Sequence, residues 1–83
     1  MKANEIINYA AATGMNIEVN TGEFGEQIIG IEWKNNYVWY WFTELMDGDM
    51  WFIERFSMRN GTTKTGYNKT ATSIERTITE SFQ

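Results

Sequence analysis

The sequence predicts an α+β protein, a two-layer sandwich in which a helix, an antiparallel β-meander of four to five strands and a second helix follow one another. Both helices are expected on one face of the sheet. Helical periodicity is confined to the two ends of the 83-residue chain. Between the ends, strand-like runs alternate with turns rich in Gly and Asn, and no Pro interrupts a strand. The length predicts a single domain over residues 1–83.

The first helix is predicted over residues 3–13, where small and apolar residues recur at helical spacing. Gly14 stands just past its end, where a left-handed residue is common. Residues 15–20 then alternate apolar and polar side chains, which predicts a half-buried strand. A loop is predicted over residues 21–27, because two Gly and two Glu lie close together there.

Three turns divide the rest of the sheet. Asp-Gly and Asn-Gly are strong signals for two-residue hairpin turns because both central residues need positive φ, and Asn-Asn is a weaker one. The predicted turns are Asn35-Asn36, Asp47-Gly48 and Asn60-Gly61. The predicted strands cover residues 28–34, 37–46, 49–58 and 62–67.

The last helix is predicted from a capping box and an apolar stripe. The Thr72 side chain is expected to accept a hydrogen bond from the Glu75 amide, while Glu75 reaches back. The stripe consists of Ile74, Ile78 and Phe82.

The turn positions fix the register and therefore assign the strand residues to two faces. The face predicted to pack beneath the helices holds Ile29, Ile31, Trp33, Val38, Tyr40, Phe42, Trp51 and Ile53. The other face mixes charged residues with large aromatics and holds Ile28, Gly30, Glu32, Lys34, Tyr37, Trp39, Trp41, Met50, Phe52, Glu54 and Phe56.

An uncovered aromatic surface on a small protein usually marks an interaction site, so the second face is predicted to bind a partner. The expected aromatic anchors are Tyr37, Trp39, Trp41, Phe52 and Phe56. A homodimer interface and plain core packing are the alternatives for the same residues.

Charge divides the chain into an acidic and a basic part. Residues 1–54 carry nine acids and two bases, a net charge of −7, whereas residues 55–83 carry two acids and five bases, a net charge of +3. The acidic residues predicted to contact a partner, where they would imitate a phosphate backbone, are Glu23, Glu26, Glu44, Asp47 and Asp49. The alternative is a basic patch that contacts nucleic-acid phosphates, formed by Arg59, Lys64, Lys69 and Arg76.

The absence of His and Cys removes the commonest general base and metal ligands, so we expect no enzyme, metal site or cofactor. The acids near Asp47 do not follow the ligand order of an EF-hand loop, and Glu32-Trp33-Lys34 lacks the upstream Asp of a metal-dependent nuclease. No signal peptide or membrane-spanning run is evident, which predicts a cytoplasmic protein without a membrane partner.

The order helix, meander, helix is similar to that of the double-stranded-RNA-binding domain. Gly66, Lys69 and Ala71 stand roughly where that family has the Gly-rich and Lys-rich start of its last helix. This chain lacks the dense Lys run of the family, has more strands and is acidic overall, so the similarity covers element order alone.

These observations favour a small acidic interaction protein, an inhibitor or regulator that binds a nucleic-acid-handling enzyme. Size and acidity resemble those of phage proteins that disarm host defences, including anti-CRISPR proteins, which is an analogy of composition. The alternatives are a nucleic-acid-binding module that uses exposed aromatics and the basic C-terminal section, and a structural homodimer.

Overall fold

The computed structural model describes residues 2–43, 50–57, 63–66 and 73–82. In chain order the elements are α1 (Ala3–Ala12), β1 (Asn16–Thr21), β2 (Gln27–Trp33), β3 (Asn36–Phe42), β4 (Met50–Ser57), β5 (Thr63–Gly66) and α2 (Ile74–Ser81). The strands form one antiparallel sheet in sequence order. The predicted α+β class and the antiparallel meander are therefore confirmed.

The first helix begins and ends close to the predicted residues, and the second begins close to its predicted start. The backbone N–H of Lys2 donates to the Glu5 carboxylate at 3.2 Å at the start of α1, and Gly14 follows its end with φ +74°. At α2 the cap is Ser73, whose hydroxyl accepts from the Arg76 amide at 3.3 Å. The predicted cap, Thr72, lies outside the described residues, and the prediction was one residue early because the helix begins at Ile74.

The turn between β2 and β3 lies one residue earlier than predicted. Lys34 and Asn35 both have positive φ, 51° and 61°, and Trp33 pairs with Asn36 across the turn. The Asn36 amide supports the turn by donating to the Lys34 carbonyl at 2.9 Å. The register is consequently displaced by two residues, which leaves the strand residues of β2 and β3 on their predicted faces because the strand period is two. Lys34 was wrongly predicted on the aromatic face, since it lies in the turn with its Nζ 4.2 Å from the ring centroid of Trp33.

The β3–β4 register is also displaced by two residues. Trp39 lies opposite Glu54 and Trp41 opposite Phe52, whereas a turn at Asp47-Gly48 would have paired Trp41 with Glu54. That turn and Asn60-Gly61 lie outside the described residues.

The pairing of β3 and β4 then shifts by one more residue between Trp41 and Phe42, so that Phe42 lies opposite Met50. A shift of one residue moves a side chain to the opposite face. Met50 is accordingly buried in the core, and its predicted place on the aromatic face was wrong. Trp51, predicted to be in the core, has a side chain outside the described set.

One buried cluster contains residues of both helices and of strands β2, β3 and β4. Trp33 packs at its edge, with its ring centroid 5.5 Å from that of Phe82 in an edge-on arrangement. Ile53 is half-buried against the same cluster. The buried members are Ala3, Ile6, Ala10, Ile29, Ile31, Val38, Tyr40, Phe42, Met50 and Ile78. The core assignment of β2 and β3 is therefore confirmed.

Candidate partner-binding surface

The sheet face opposite the core is ordered in rows that cross the strands. One row consists of Glu18, Gly30, Trp39, Glu54 and Thr65, one residue from each strand. The rows on either side place Glu32 beside Tyr37 and Phe56, and Ile28 beside Trp41 and Phe52. We call the following set the acidic–aromatic face: Glu18, Glu32, Glu54, Tyr37, Trp39, Trp41, Phe52 and Phe56. All five predicted aromatic residues thus lie together.

The five rings of the acidic–aromatic face are half-buried, and four of them pack in two pairs. Tyr37 and Trp39 are stacked, with centroids 5.8 Å apart and planes 18° apart. Trp41 and Phe52 meet edge to face, with centroids 6.1 Å apart and planes 80° apart. Aromatic pairs of this kind stabilise a surface beyond the area they bury, so the rings restrain one another before any partner arrives.

Gly30 creates the space in which Trp39 lies. A Cβ atom at Gly30 would stand 3.2 Å from Cδ1 and 3.3 Å from Nε1 of the indole ring, closer than ordinary van der Waals contact. The ring therefore lies across the backbone of β2. Gly30 thus leaves room for the Trp39 ring, and glycines inside strands often mark such a close approach.

The carboxylates lie beside the rings. Glu18 and Glu32 are exposed, and Glu54 is half-buried. The Tyr37 hydroxyl donates to the Glu32 carboxylate, and this hydrogen bond is the main reason that the pKa of Tyr37 is raised above its usual value. Partial burial and the negative charges of Glu32 and Glu18 raise it further. The strand positions of this face that the structure describes carry no Lys or Arg.

Trp41 carries a polar atom without an observed partner. Its indole Nε1 is buried and has no hydrogen-bond acceptor among the described residues. An unpaired buried donor costs about 1–3 kcal/mol. At this end of the face, the Trp41 ring packs on Phe52 even though its buried N–H is left without an acceptor among the described residues.

Two of the predicted acidic contact residues lie in the loop between β1 and β2. Glu23 is exposed, and Glu26 is half-buried because its carboxylate folds back and accepts from the Phe24 amide at 3.1 Å. The other three, Glu44, Asp47 and Asp49, lie outside the described residues.

The structure describes two of the four predicted basic residues, since Arg59 and Lys69 lie outside the described ranges. Lys64 in β5 pairs with Arg55, at positions on the face opposite the acidic–aromatic face. Arg76 forms an ion pair with Glu80, with 2.8 Å between Nε and Oε1. The hydrogen bond to Glu80 and its charge raise the pKa of Arg76 and offset the positive charge there.

Sequence reasoning missed Phe24 as a candidate contact residue. Its side chain is 92% exposed in the loop that joins β1 and β2. The signal available in the sequence was a single large apolar residue within Gly22-Glu23-Phe24-Gly25-Glu26, a segment otherwise made of Gly and Glu. A loop is usually exposed, so an aromatic residue within one is a candidate for recognition.

In comparisons with known proteins, the chain matches no family model, no curated protein and no solved structure. Within residues 2–43, 50–57, 63–66 and 73–82, no helix is long and apolar enough to cross a membrane. The same residues contain no group of three or more acidic side chains placed to hold a metal ion. A function must therefore be inferred from the side chains of the chain itself.

Proposed function

We propose that this protein is a small acidic interaction protein that binds the basic surface of a protein partner, a nucleic-acid-handling enzyme, through the acidic–aromatic face. In this proposal the fold is a two-layer sandwich, with both helices covering one face of the sheet and the acidic–aromatic face left for the partner. The main support is the placement of three carboxylates around five half-buried rings, on strand positions without a Lys or Arg.

Charge favours a protein partner over nucleic acid at this face. Phosphates brought to the rings would meet Glu18, Glu32 and Glu54, and no cation on the same described strand positions would offset the repulsion. A basic surface, in contrast, is attracted by the same three carboxylates. Base stacking on Trp39 or Trp41 would therefore lack the phosphate contacts that normally accompany it.

The aromatic rings supply the contact area. Aromatic residues are the commonest energetic anchors of protein interfaces. Because Tyr37 and Trp39 are stacked on one another, and Trp41 is held by Phe52, these side chains lose little conformational freedom on binding.

An inhibitory role follows from this kind of contact. A chain that covers the basic surface of a nucleic-acid-handling enzyme competes with the nucleic acid itself. A phage anti-defence protein, similar in role to anti-CRISPR proteins, is the specific form that the small size and net charge of −4 support.

The test uses two charge variants that each remove two carboxylates. Glu18→Gln with Glu32→Gln changes the acidic–aromatic face, and Glu5→Gln with Glu75→Gln removes two exposed carboxylates from the helices. Each protein is used to capture heparin-binding proteins from an extract of the source cell, with and without excess duplex DNA or RNA. We expect the wild type and the helix variant to retain the same protein, the face variant to bind it at least about 10-fold more weakly, and nucleic acid to displace it.

A second measurement separates the alternatives. Single-stranded DNA, duplex DNA and RNA are titrated against Trp fluorescence at low and moderate salt. Quenching that weakens as salt rises would place nucleic acid on the rings and contradict the proposal. A dimeric mass at micromolar concentration that becomes monomeric on Trp39→Ala would instead assign the face to a homodimer.

A further inference from the structure

The loop between β1 and β2 presents an aromatic ring directly to solvent. Phe24 is 92% exposed, whereas the five rings of the acidic–aromatic face are all half-buried. Among the described residues the other exposed large hydrophobic side chain is Val19, at 53%. A Phe side chain with this exposure contributes little to the core, and its burial in an apolar pocket would be favourable. A ring with this exposure is suited to insertion into a pocket of a partner.

The loop that carries Phe24 is held in one shape by hydrogen bonds. The Gly22 amide donates to the Glu26 carbonyl at 2.8 Å, and the Gly25 amide donates to the Gly22 carbonyl at 3.1 Å. The Phe24 amide donates to the Glu26 carboxylate at 3.1 Å. Gly25 has φ +80°, a conformation that favours glycine. The backbone beneath the ring is thus organised without a partner, which lowers the entropy lost on binding.

The stretch of sequence that contains Phe24 carries only negative charge. No Lys or Arg occurs between Lys2 and Lys34, and this stretch contains Glu5, Glu18, Glu23, Glu26 and Glu32. Anionic lipid headgroups and a second copy of this loop would both be repelled. An apolar pocket surrounded by Lys and Arg side chains complements both the ring and the charge.

The loop continues into the acidic–aromatic face. It leads into β2 at Gln27, and the next residue, Ile28, lies opposite Trp41. Phe24 therefore stands beyond the end of the sheet that carries Trp41 and Phe52.

We propose that Phe24 is an anchor of the partner interface, inserted into an apolar pocket that Lys and Arg side chains of the partner protein surround. This inference rests on the proposed function, and it identifies the pocket that the partner must have. Glu23, which is exposed beside the ring, would face the basic rim of that pocket.

The test places the photo-reactive residue p-benzoylphenylalanine at one of three positions of the full chain. Position 24 reports on the loop, position 56 on the acidic–aromatic face, and position 19 on an exposed apolar site of the other face. Each protein is irradiated in an extract of the source cell, and the linked peptide is sequenced. We expect positions 24 and 56 to link to the same protein, position 24 within an apolar segment flanked by Lys or Arg, and position 19 not to link to it.

Affinity measurements then test whether the Phe24 side chain contributes to binding. Calorimetry on the purified linked protein compares the wild type with Phe24→Ser and the control Val19→Ser. Both substitutions change exposed side chains, and circular dichroism checks that the fold is retained. We expect at least about 30-fold weaker binding for Phe24→Ser and less than about 3-fold for Val19→Ser.

The possible failures are distinguishable. Linkage from position 56 without linkage from position 24, or unchanged affinity of Phe24→Ser, would overturn the anchor and leave the proposed function standing. Linkage from position 24 alone would support Phe24 as an anchor and would exclude the acidic–aromatic face from the interface. No linkage from either position would overturn both. Binding to phosphatidylcholine or phosphatidylserine vesicles that Phe24→Ser abolishes would assign the ring to lipid and overturn the protein pocket.

Discussion

The two faces of the sheet are built from the same strands, yet they differ in how completely they are buried. On the face that belongs to the buried cluster, Ile29, Val38 and Tyr40 have no exposed surface. On the acidic–aromatic face no ring is fully buried, and carboxylates stand beside the rings. β3 is apolar or aromatic at every position after Asn36, so apolar character alone does not distinguish its two faces. The difference lies in charge, because Glu residues occur on one face of β1, β2 and β4.

Two tyrosines in β3 show how the faces differ in chemistry. The pKa of Tyr40 is raised chiefly because burial disfavours the charged form, and the nearby Ser81 hydroxyl offsets part of this rise. The pKa of Tyr37 is also raised, but chiefly because its hydroxyl donates to Glu32. One face therefore perturbs ionisation by excluding water, and the other by placing negative charge beside the ring.

Adjacent isoleucines in β2 provide the largest expected contrast between the faces. Ile29 is fully buried and Ile28 is half-buried on the opposite face. We expect Ile29→Ala to lower the free energy of unfolding by about 2–5 kcal/mol, because it removes buried contacts and leaves a cavity. Ile28→Ala should cost about 1 kcal/mol or less.

Urea denaturation measures both values. If Ile29→Ala does not fold, Ile29→Val should still show a loss of about 0.5–1.5 kcal/mol. Equal losses for the two alanine variants would mean that both faces are covered, which would contradict an acidic–aromatic face open to a partner.

Gly30→Ala tests the packing of the acidic–aromatic face itself. A methyl group there would press on the Trp39 ring, which is 3.2 Å from its expected position. We expect a loss of about 1–3 kcal/mol, with a changed near-ultraviolet circular dichroism signal as the stacking on Tyr37 is disturbed. The comparison variant is Trp39→Phe, which alters the ring rather than the residue beneath it. Gly14→Ala is unsuitable for comparison because the positive φ of Gly14 would strain any alanine there. A stabilised Gly30→Ala variant with an unchanged spectrum would show that Trp39 does not lie across β2.

The sequence predicted the faces of the sheet better than it predicted the register. The turn residues were placed one position late at Asn35-Asn36, yet a displacement of two residues preserves which side chains share a face. The faces of β2 and β3 follow from periodicity alone. The burial of Met50 could not be predicted from periodicity, because it depends on a shift in strand pairing at Phe42 that the sequence of β4 does not indicate.

The candidate site was predictable only in part. Tyr37, Trp39 and Trp41 could be grouped because alternate residues of one strand share a face. Phe24 could not be found in this way, since loops have no periodicity and its exposure depends on the hydrogen bonds that Glu26 makes within the loop. The role of Gly30 also needed the structure, because it depends on the orientation of a ring in the next strand.

Alkaline titration should separate the two tyrosines. Tyr40 stays protonated in the folded protein above pH 10, whereas in the unfolded chain it ionises near its ordinary pKa of 10.0. Stability from this group is therefore fully present below pH 10 and is lost as the pH rises further, by about 1.4 kcal/mol at pH 11. Tyr40→Phe should reduce the loss of stability between pH 9 and pH 11 by that amount.

Tyr37→Phe is the control for this titration. Its effect on the alkaline loss should be smaller and should diminish at high salt, because the charges of Glu32 and Glu18 contribute to the raised pKa. Urea denaturation at each pH measures both. A larger effect of Tyr37→Phe than of Tyr40→Phe would reverse the assignment of the buried and the open face.

The smallest expected effect is at Trp41, which lies on the acidic–aromatic face but has a buried indole N–H. Trp41→Phe removes ring area that packs on Phe52, and it also removes a buried N–H that has no acceptor among the described residues. Because the second change offsets the first, we expect the free energy of unfolding to change by about 1 kcal/mol or less. Trp39→Phe, which loses contact over Gly30 without this compensation, should cost more. If Trp41→Phe is the more costly of the two, the Trp41 N–H is hydrogen-bonded in the folded protein and that end of the face is polar. Under the proposed function, the apolar contact with the partner would then be expected at Phe24 instead.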